Sequence, residues 1–255
     1  MAKIKIDNLI KYYSSKNGDS LQVINNFSLE INNGEFITFF GPNGCGKTTL
    51  LNLISGITPI ENGQILIDSK TPTKARTGMI FQNYEESLMP WLSCEDNILF
   101  PFSLKIRKFE REQGKERLNN LLKELNLELP LKNYPYQLSG GQQQLVSILR
   151  TLIYNPDVIL MDEPFSALDY QTRSFMQLIL LDIWHKEKTT ILFVSHDIEE
   201  AIFLADRLIL LNSLPTSVKE IVTIPFKRPR EKTIFELDDF YHLKTKCLRT
   251  IERVN

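Results

Sequence analysis

Residues 41–48 read Gly41-Pro42-Asn43-Gly44-Cys45-Gly46-Lys47-Thr48, with Thr49 following, and satisfy the spacing G-x-x-x-x-G-K-[ST]. These residue types suit one task, holding a phosphate chain. Glycines let the backbone curl until several N–H groups point at one anion. A helix opening at the end of the loop adds the partial positive charge of its N-terminus. Lys47 supplies a point charge for β- and γ-phosphates, and the Thr48 hydroxyl can ligate Mg²⁺. The competing reading is a glycine-rich turn before an ordinary helix. The flanks argue against it, because an apolar strand, Glu35–Phe40, runs into the loop and Thr49-Leu50-Leu51-Asn52-Leu53-Ile54 continues as a helix.

The elements needed to hold such a loop can be traced along the chain. Lys3–Leu9 and Val23–Ile31 alternate as strands, with Asn32-Asn33-Gly34 as a tight turn. Asn62-Gly63 signals a hairpin between Ile57–Ile60 and Gln64–Asp68. Met79–Phe81 is strand-like. Glu95–Leu125 carries apolar residues at helical spacing and predicts a mostly helical subdomain ending near Pro135. Apolar strand-like runs return at Val158–Met161 and Ile191–Val194, separated by helical Gly141–Ile153 and Gln171–Lys186. Buried strands alternating with helices predict a largely parallel sheet covered on both faces. Two weak strands after Leu211, a stretch broken by Pro225 and Pro229, and a helix from Leu237 complete the chain.

The 255 residues allow one α/β domain, or one domain and a small satellite. Lys and Arg number 30 against 31 Asp and Glu, so there is no basic excess of the kind that nucleic-acid binders carry. Lys227, Arg228 and Arg230 form the one short basic cluster; broken by Pro229, it reads as a solvated turn. Cys45, Cys94 and Cys247 form no CxxC pair and suggest neither zinc nor a disulfide framework. Reduced thiols fit a cytosolic location. The N-terminus is too polar for a secretory signal, and no apolar run reaches the roughly 18 residues of a membrane span. Contact with a membrane is therefore expected to pass through a partner.

Leu138-Ser139-Gly140-Gly141-Gln142 resembles the LSGGQ signature of the ABC ATPase superfamily. Physically it is a loop opening onto a helix, with Ser139, Gly140 and Gly141 exposing backbone N–H groups, a second anion-binding helix end. The resemblance implies that this segment binds the γ-phosphate of an ATP held by another subunit's phosphate loop, so that a head-to-tail dimer is the catalytic unit. Val158–Asp162 resembles the Walker B strand. It implies Asp162 in the Mg²⁺ shell and Glu163 as the group that polarises the attacking water. Adjacent Asp-Glu at a strand end could by itself be a solvated turn. Gln82 is similar to the Q-loop glutamine, implied to contact Mg²⁺ or water and to report the state of the site to the helical subdomain. Ser166-Ala167-Leu168-Asp169 resembles the interface-crossing D-loop. His196, in Val194-Ser195-His196-Asp197, resembles the switch histidine on the γ-phosphate. Tyr13 falls where the family places an adenine-stacking aromatic; Tyr12 could take that role, and either ring could be core.

Leu88-Met89-Pro90-Trp91 is similar to a segment of importers for nitrate, alkanesulfonates and taurine, although Trp91 could equally be core. Ile198–Ala201, Leu204–Arg207, Pro225 and Arg228-Pro229-Arg230 also fit that group. The chain departs from the family pattern at Leu145, where an arginine is usual. It departs again in a longer Asn83–Ser87 segment, and in Asn212–Thr216, which lacks the usual glycine. None of these departures is expected to touch a phosphate-handling residue, so they do not weigh against hydrolysis.

The resemblance implies a P-loop NTPase of α/β class, with a RecA-like mostly parallel core sheet, an antiparallel β subdomain and a helical signature subdomain. One ABC ATPase domain would fill residues 1–255: core at 1–90 and 155–225, helical subdomain at 91–154, C-terminal extension at 226–255. The expected activity is ATP hydrolysis with Mg²⁺ on the cytoplasmic face of a membrane. It would be coupled to solute uptake through separate permease subunits and, indirectly, a solute-binding protein. The ATPase would be a homodimer or pair with a homologous subunit, and nucleic acid is not an expected partner. Two rivals remain at this level. One is a soluble ABC-type ATPase of repair or translation, which would usually carry a long coiled coil or two cassettes. The other is a non-catalytic nucleotide-binding module, disfavoured by Lys47, Asp162, Glu163 and His196 occurring together.

Overall fold

A computed structural model describes residues 3–14, 20–83, 87–103 and 111–252. The chain divides into two compact units, Met1–Ala75 with Thr189–Asn255, and Arg76–Lys188.

In the first unit β3 (Phe36–Phe40) is buried at every position. It pairs in parallel with β7 (Thr190–Val194) on one side and β8 (Arg207–Leu211) on the other. A strand with neighbours on both edges and helices on its faces has no polar face, which is why Phe-Ile-Thr-Phe-Phe is nearly all apolar. β9 (Val218–Thr223) adds antiparallel to β8; where two strands were expected after Leu211, this is the one formed among the described residues. Helix α1 (Lys47–Ser55) leaves the end of β3 through the phosphate loop and stops at Gly56, whose φ of 79° gives the left-handed C-cap.

A second, antiparallel sheet has the order β2-β1-β4. β1 (Ile4–Ser14) runs five residues past the expected Leu9, because β2 (Ser20–Ile31) gives it partners as far as Ser14↔Ser20. The expected hairpin at Asn62-Gly63 does not form. β4 (Asn62–Ile67) pairs with β1 instead, and Ile57–Ile60 is not a strand. Gly63 is needed for another reason. Its φ is +87°, and a Cβ there would sit 2.5 Å from the Asn8 carbonyl oxygen, where β1 is irregular. A turn signal and a close-approach signal share one residue type.

In the second unit β5 (Thr77–Ile80) pairs in parallel with β6 (Val158–Asp162). The helical region comprises α2 (Cys94–Ile98), α3 (Phe100–Ser103) and α4 (Arg111–Glu124), followed by α5 (Gly140–Ile153) and α6 (Tyr170–Glu187). A Cβ on Gly78 would meet Thr151 Cγ2 at 2.4 Å, so the glycine lets α5 lie directly on β5. Asn97, fully buried, uses its whole amide: Oδ1 accepts from Met89 N at 2.8 Å, and Nδ2 donates to the carbonyls of Met89, Leu92 and Ser93 at 3.0–3.1 Å. The turn carrying Pro90 and Trp91 is thereby fixed to α2. The chain ends in α7 (Ile198–Leu204) and α8 (Asp238–Glu252), both in the first unit. No helix among the described residues is long and apolar enough to cross a membrane.

Gly63→Ala is expected to cost about 1–3 kcal/mol from the left-handed backbone alone, and more from the collision with Asn8. A thermal melt of the purified variant checks this, and an unchanged midpoint would contradict the close approach.

Candidate functional site

The first unit carries the phosphate loop. α1 begins at Lys47 with Gly46 as N-cap (φ 101°), no side chain caps it, and its first turn has no acidic residue. Its leading N–H groups and positive end are thus left for an anion. The loop is held by packing. A Cβ on Gly41 would lie 2.9 Å from Leu211 Cβ, and one on Gly46 would lie 2.8 Å from Thr216 Oγ1 and 2.9 Å from Val23 Cγ1. The buried Lys47 ammonium donates to the carbonyls of Gly41 and Pro42, each at 3.0 Å, which holds it over the loop. Burial pushes the Cys45 thiol up, so it adds no negative charge beside a phosphate. Thr216 belongs to a turn that departs from the family pattern. That departure borders Gly46, a contact that sequence distance conceals. The turn is tied in by Thr216 N to Val23 O (2.7 Å) and Asn25 N to Thr216 O (2.9 Å).

Tyr12 and Tyr13 are 40% and 42% exposed, so neither is core. Lys11, buried and ion-paired with Glu61, sits 5.2 Å from the Tyr13 ring centroid. His196 is exposed at the end of β7. It is flanked by two anchored neighbours: Ser195 Oγ donates to Glu200 Oε2 at 2.6 Å, and Asp197 Oδ1 caps α7 through Glu199 N at 2.9 Å.

The second unit carries the carboxylates. Asp162 is buried at the end of β6. Glu163 follows with φ 46°, a left-handed conformation rare for a residue with a Cβ. Ser166 holds that turn, its hydroxyl and N–H reaching the Glu163 carbonyl at 3.0 and 3.2 Å. Strand alternation is broken there, so the two carboxylates have different surroundings and the pair is not a plain solvated turn. Gln82 Nε2 approaches Glu163 Oε2 at 3.5 Å, so the structure brings the Q-loop amide to the carboxylate. No group of three or more His, Cys, Asp or Glu that could hold a metal occurs among the described residues. A single carboxylate with hydroxyl, amide and phosphate oxygens suits Mg²⁺, which seldom takes an all-protein cage.

The signature segment opens α5 through a reciprocal capping box: Gln142 N donates to Ser139 Oγ at 3.3 Å, and Ser139 N to Gln142 Oε1 at 3.0 Å. Gly140 and Gly141 lie between the two residues of that box. Gly141 has a packing duty as well, since a Cβ would meet Thr172 Cγ2 at 2.4 Å. A cavity of about 580 Å³ opens beside Ser139, Gly141, Gln142, Thr172 and Phe175. Asp169, at the end of the D-loop, caps α6 by accepting from Gln171 N and Thr172 N at 3.0 and 3.1 Å. A hydrogen bond from the Thr172 side chain foremost, and then those from the backbone of Thr172 and Gln171, hold its carboxyl below the usual range.

Two expectations are corrected. Trp91 is 72% exposed and not core, because Asn97 fixes the turn that presents it. Arg228 and Arg230 are not in a solvated turn. Arg230 is 5% exposed, and Arg228 pairs with Asp206 at 2.8 Å. Both reach backbone carbonyls at the end of α7, and that demand for donors draws two cations into the protein. One linkage was missed altogether. Arg150 of α5 donates to Ser87 O at 2.8 Å, tying the signature helix to the segment after Gln82. An arginine among the apolar positions of α5 was its only signal in the sequence. Residues 84–86 of the lengthened loop lie outside the described residues.

The family model described as ABC transporter matches residues 24–166. The chain is 44% identical over 253 residues to an uncharacterised ABC transporter ATP-binding protein of Methanocaldococcus jannaschii, covering 98% of this chain and 91% of that one. It is 40% identical to the aliphatic sulfonates import ATP-binding protein SsuB of Bacillus cereus (98% and 96% covered). Against the taurine import ATP-binding protein TauB of Escherichia coli it is 42% identical (88% and 86% covered). Among solved structures it resembles the dimeric bacterial ABC transporter cassette MJ0796, with TM-score 0.74 and 32% identity over 88% of this chain and all of that one. A post-hydrolysis state of that cassette bound to ADP and Pi matches with the same TM-score.

Lys47→Ala removes the charge held over the loop while leaving Gly41, Gly46 and their packing intact. ATP binding is expected to weaken by at least about tenfold, equivalent to ~1.4 kcal/mol, with the melting midpoint little changed. Titration with a fluorescent ATP analogue checks this, and parental affinity would overturn the loop's assignment.

Proposed function

Because the chain belongs to the ABC transporter ATP-binding family, we propose that this ATPase is the motor subunit of an importer for small organic sulfonates or related anions. In this reading it works as a dimer whose two copies clamp shared nucleotides. The observation that supports it most directly is the uncapped, acid-free N-terminus of α1 behind the phosphate loop, on a chain that also carries a second helix opening at Ser139. A cassette needs two such openings when one serves its own ATP and the other serves the ATP of the partner copy.

Residues take the following roles. The loop 41–49 cradles the phosphates, with Lys47 on the β- and γ-oxygens, and Tyr13 stacks on the adenine. Thr48, Asp162 and Gln82 would hold Mg²⁺, whose charge offsets that developing on the phosphate oxygens. Glu163 accepts the proton of the attacking water, and the Gln82 amide, 3.5 Å from its carboxylate, orients it. His196 donates to the γ-phosphate. Ser139, Gly140, Gly141 and Gln142 of the partner copy contribute backbone N–H groups and the Ser139 hydroxyl to that same phosphate. Most of the rate gain on this chemistry comes from positioning and fixed dipoles. Closure follows if ATP binds the clamped dimer more tightly than the open one.

Force must then leave the subunit. An apolar groove of about 330 Å³ lies in the second unit, lined by Met89, Phe100, Pro101, Thr151 and Tyr154, with Arg150 beside them. Trp91 and Phe81 are exposed at 72% and 46% on either side of the Q-loop segment. The segment runs from Gln82 through Ser87, which Arg150 ties to the signature helix. The occupant proposed for this groove is a short apolar segment of a membrane subunit, and residues 91–154 are the subdomain that carries it. Cargo selection belongs to the membrane and solute-binding partners. The sulfonate and taurine relatives at 40–42% identity support the class of cargo.

Glu163→Gln is expected to bind ATP with parental affinity, lose turnover by about 10²-fold or more, and collect as a dimer with Mg-ATP. Small-angle scattering and a phosphate-release assay check both. A monomer under saturating nucleotide, or turnover near the parental rate, would refute the clamp or the base respectively. Trp91→Ala with Met89→Ser should keep the ATPase of the isolated chain while abolishing co-purification with its membrane subunits; retained co-purification would place the docking face elsewhere.

A further inference from the structure

The C-terminal segment is bonded to the short helix that follows His196. Helix α7 has seven residues, too few to hold its own geometry. Its first turn is bound to the residues on either side of His196, through Asp197 Oδ1 to Glu199 N at 2.9 Å and Glu200 N at 3.4 Å, and through Ser195 Oγ to Glu200 Oε2 at 2.6 Å. Asp197 N in turn donates to Ser195 Oγ at 3.0 Å. The histidine therefore goes where α7 goes.

At the other end of α7 the last carbonyls have no partner inside the helix. Two arginines take them. Arg230 Nη1 donates to the carbonyls of Ile202 (3.3 Å), Phe203 (2.8 Å) and Ala205 (2.6 Å), and Arg228 Nη2 donates to that of Leu204 (2.5 Å). The remaining nitrogens of Arg230 return to Phe226 O at 3.0 and 3.1 Å, which fixes the guanidinium to its own segment. The partners of Nη1 are all backbone carbonyls at the negative end of α7. Burial pushes the guanidinium down to about 10, so it stays charged at neutral pH. Arg228 carries the link further. Its Nε donates to Asp206 Oδ1 at 2.8 Å, and Asp206 Oδ2 accepts from Phe36 N at 2.9 Å, at the start of the strand that feeds the phosphate loop. α8 adds a second hold on the histidine end, where Lys244 Nζ meets Glu199 Oε1 at 2.6 Å. Aromatic contacts join these parts: Phe203–Phe235 at 5.3 Å and Phe235–Phe240 at 4.9 Å.

We propose that residues 226–252 form a clamp that sets the place of His196 relative to the phosphate loop, with Arg230 as the principal positioning residue and the Lys244–Glu199 pair as a second hold. It rests on the reading of His196 as a γ-phosphate contact. Positioning differs from mere stability in what it predicts. ATP binding depends on the loop and on Lys47, which the clamp does not touch, so KM and nucleotide affinity stay put while kcat falls. A lysine at 230 keeps the charge but cannot serve all these carbonyls from one planar fork.

The test uses the full chain. Arg230→Lys should melt cooperatively, bind a fluorescent ATP analogue within about twofold of the parent, and lose about tenfold or more in kcat, as misplacement of a reacting group by about an ångström does. Glu199→Lys and Lys244→Glu should each lower kcat severalfold with KM unchanged, and the double reversal should restore most of it. A folded Arg230→Lys with parental kcat, or a loss confined to KM, overturns the clamp. Should Arg230→Lys not fold, the charge reversals decide: recovery in the pair supports the clamp, and parental rates in the singles or no recovery in the pair overturn it. His196→Ala separates the two readings. A parental rate there removes the histidine's role and the clamp with it, whereas a dead His196→Ala beside a full-speed Arg230→Lys overturns only the clamp.

Discussion

A loop that binds phosphate through its backbone cannot spend those N–H groups on itself. Within the loop Cys45 N reaches Pro42 O at 3.2 Å, but something more must hold the shape. Here that something is contact. Gly41 lies against Leu211 and Gly46 against Val23 and Thr216, each so close that a Cβ would have nowhere to go. The strand that delivers the loop is pinned on both edges by parallel neighbours and buried at every residue. The core of the first unit is thus arranged around keeping a few donors free. Even Lys47, the loop's charged side chain, is held on the carbonyls of Gly41 and Pro42.

The same economy recurs in the second unit with different parts. Glu163 is kept in a left-handed turn by Ser166, and Gln82 is brought to its carboxylate. The signature helix is joined to that neighbourhood twice, by the missing side chain of Gly78 against Thr151 and by Arg150 reaching Ser87. A helix fastened in this way cannot shift without disturbing the segment after Gln82. If Gln82 senses nucleotide as proposed, its state and the groove geometry at Met89 and Tyr154 would be mechanically related within one unit. Leu145, where relatives carry arginine, is buried in α5. An apolar side chain suits that place, which is why the substitution leaves the helix intact.

Much of this was legible in residue order. The loop 41–48 is marked by residue type and spacing, so its reading needed little beyond the flanking strand and helix. The apolar runs read at 35–40, 158–161 and 191–194 could hardly be anything but covered strands. What was illegible depended on partners far away in sequence. Asn62-Gly63 carries a hairpin signal, but a glycine needed for a turn and one needed for a close approach look alike until Asn8 is placed beside it. For Trp91 the sequence leaves core and importer-like segment equally open; only the fully bonded Asn97 shows why its turn faces outward. The cluster at 227–230 reads as solvated because cations usually are, and the carbonyls that draw Arg228 and Arg230 inward come from residues 202–205. Asn212–Thr216 likewise reads as remote from every phosphate-handling position, and only in space does Thr216 meet Gly46.

The buried arginines also show what kind of device fits where. A short helix that must present one residue at its N-terminus could be anchored there, but anchoring groups close to a reacting phosphate would compete with it for space and charge. Holding the far end avoids that conflict. The guanidinium of Arg230 serves three carbonyls of the α7 terminus and one of its own segment from a single planar group, which few side chains could do. Its cost is desolvation of a cation, offset by charge-assisted bonds and by the helix dipole pointing its negative end at the charge. At the other end, Ser195, Asp197 and Glu200 bond with one another and leave the ring of His196 exposed. Rigid support behind an exposed ring is what a group needs if it is to meet a phosphate without first paying to become ordered.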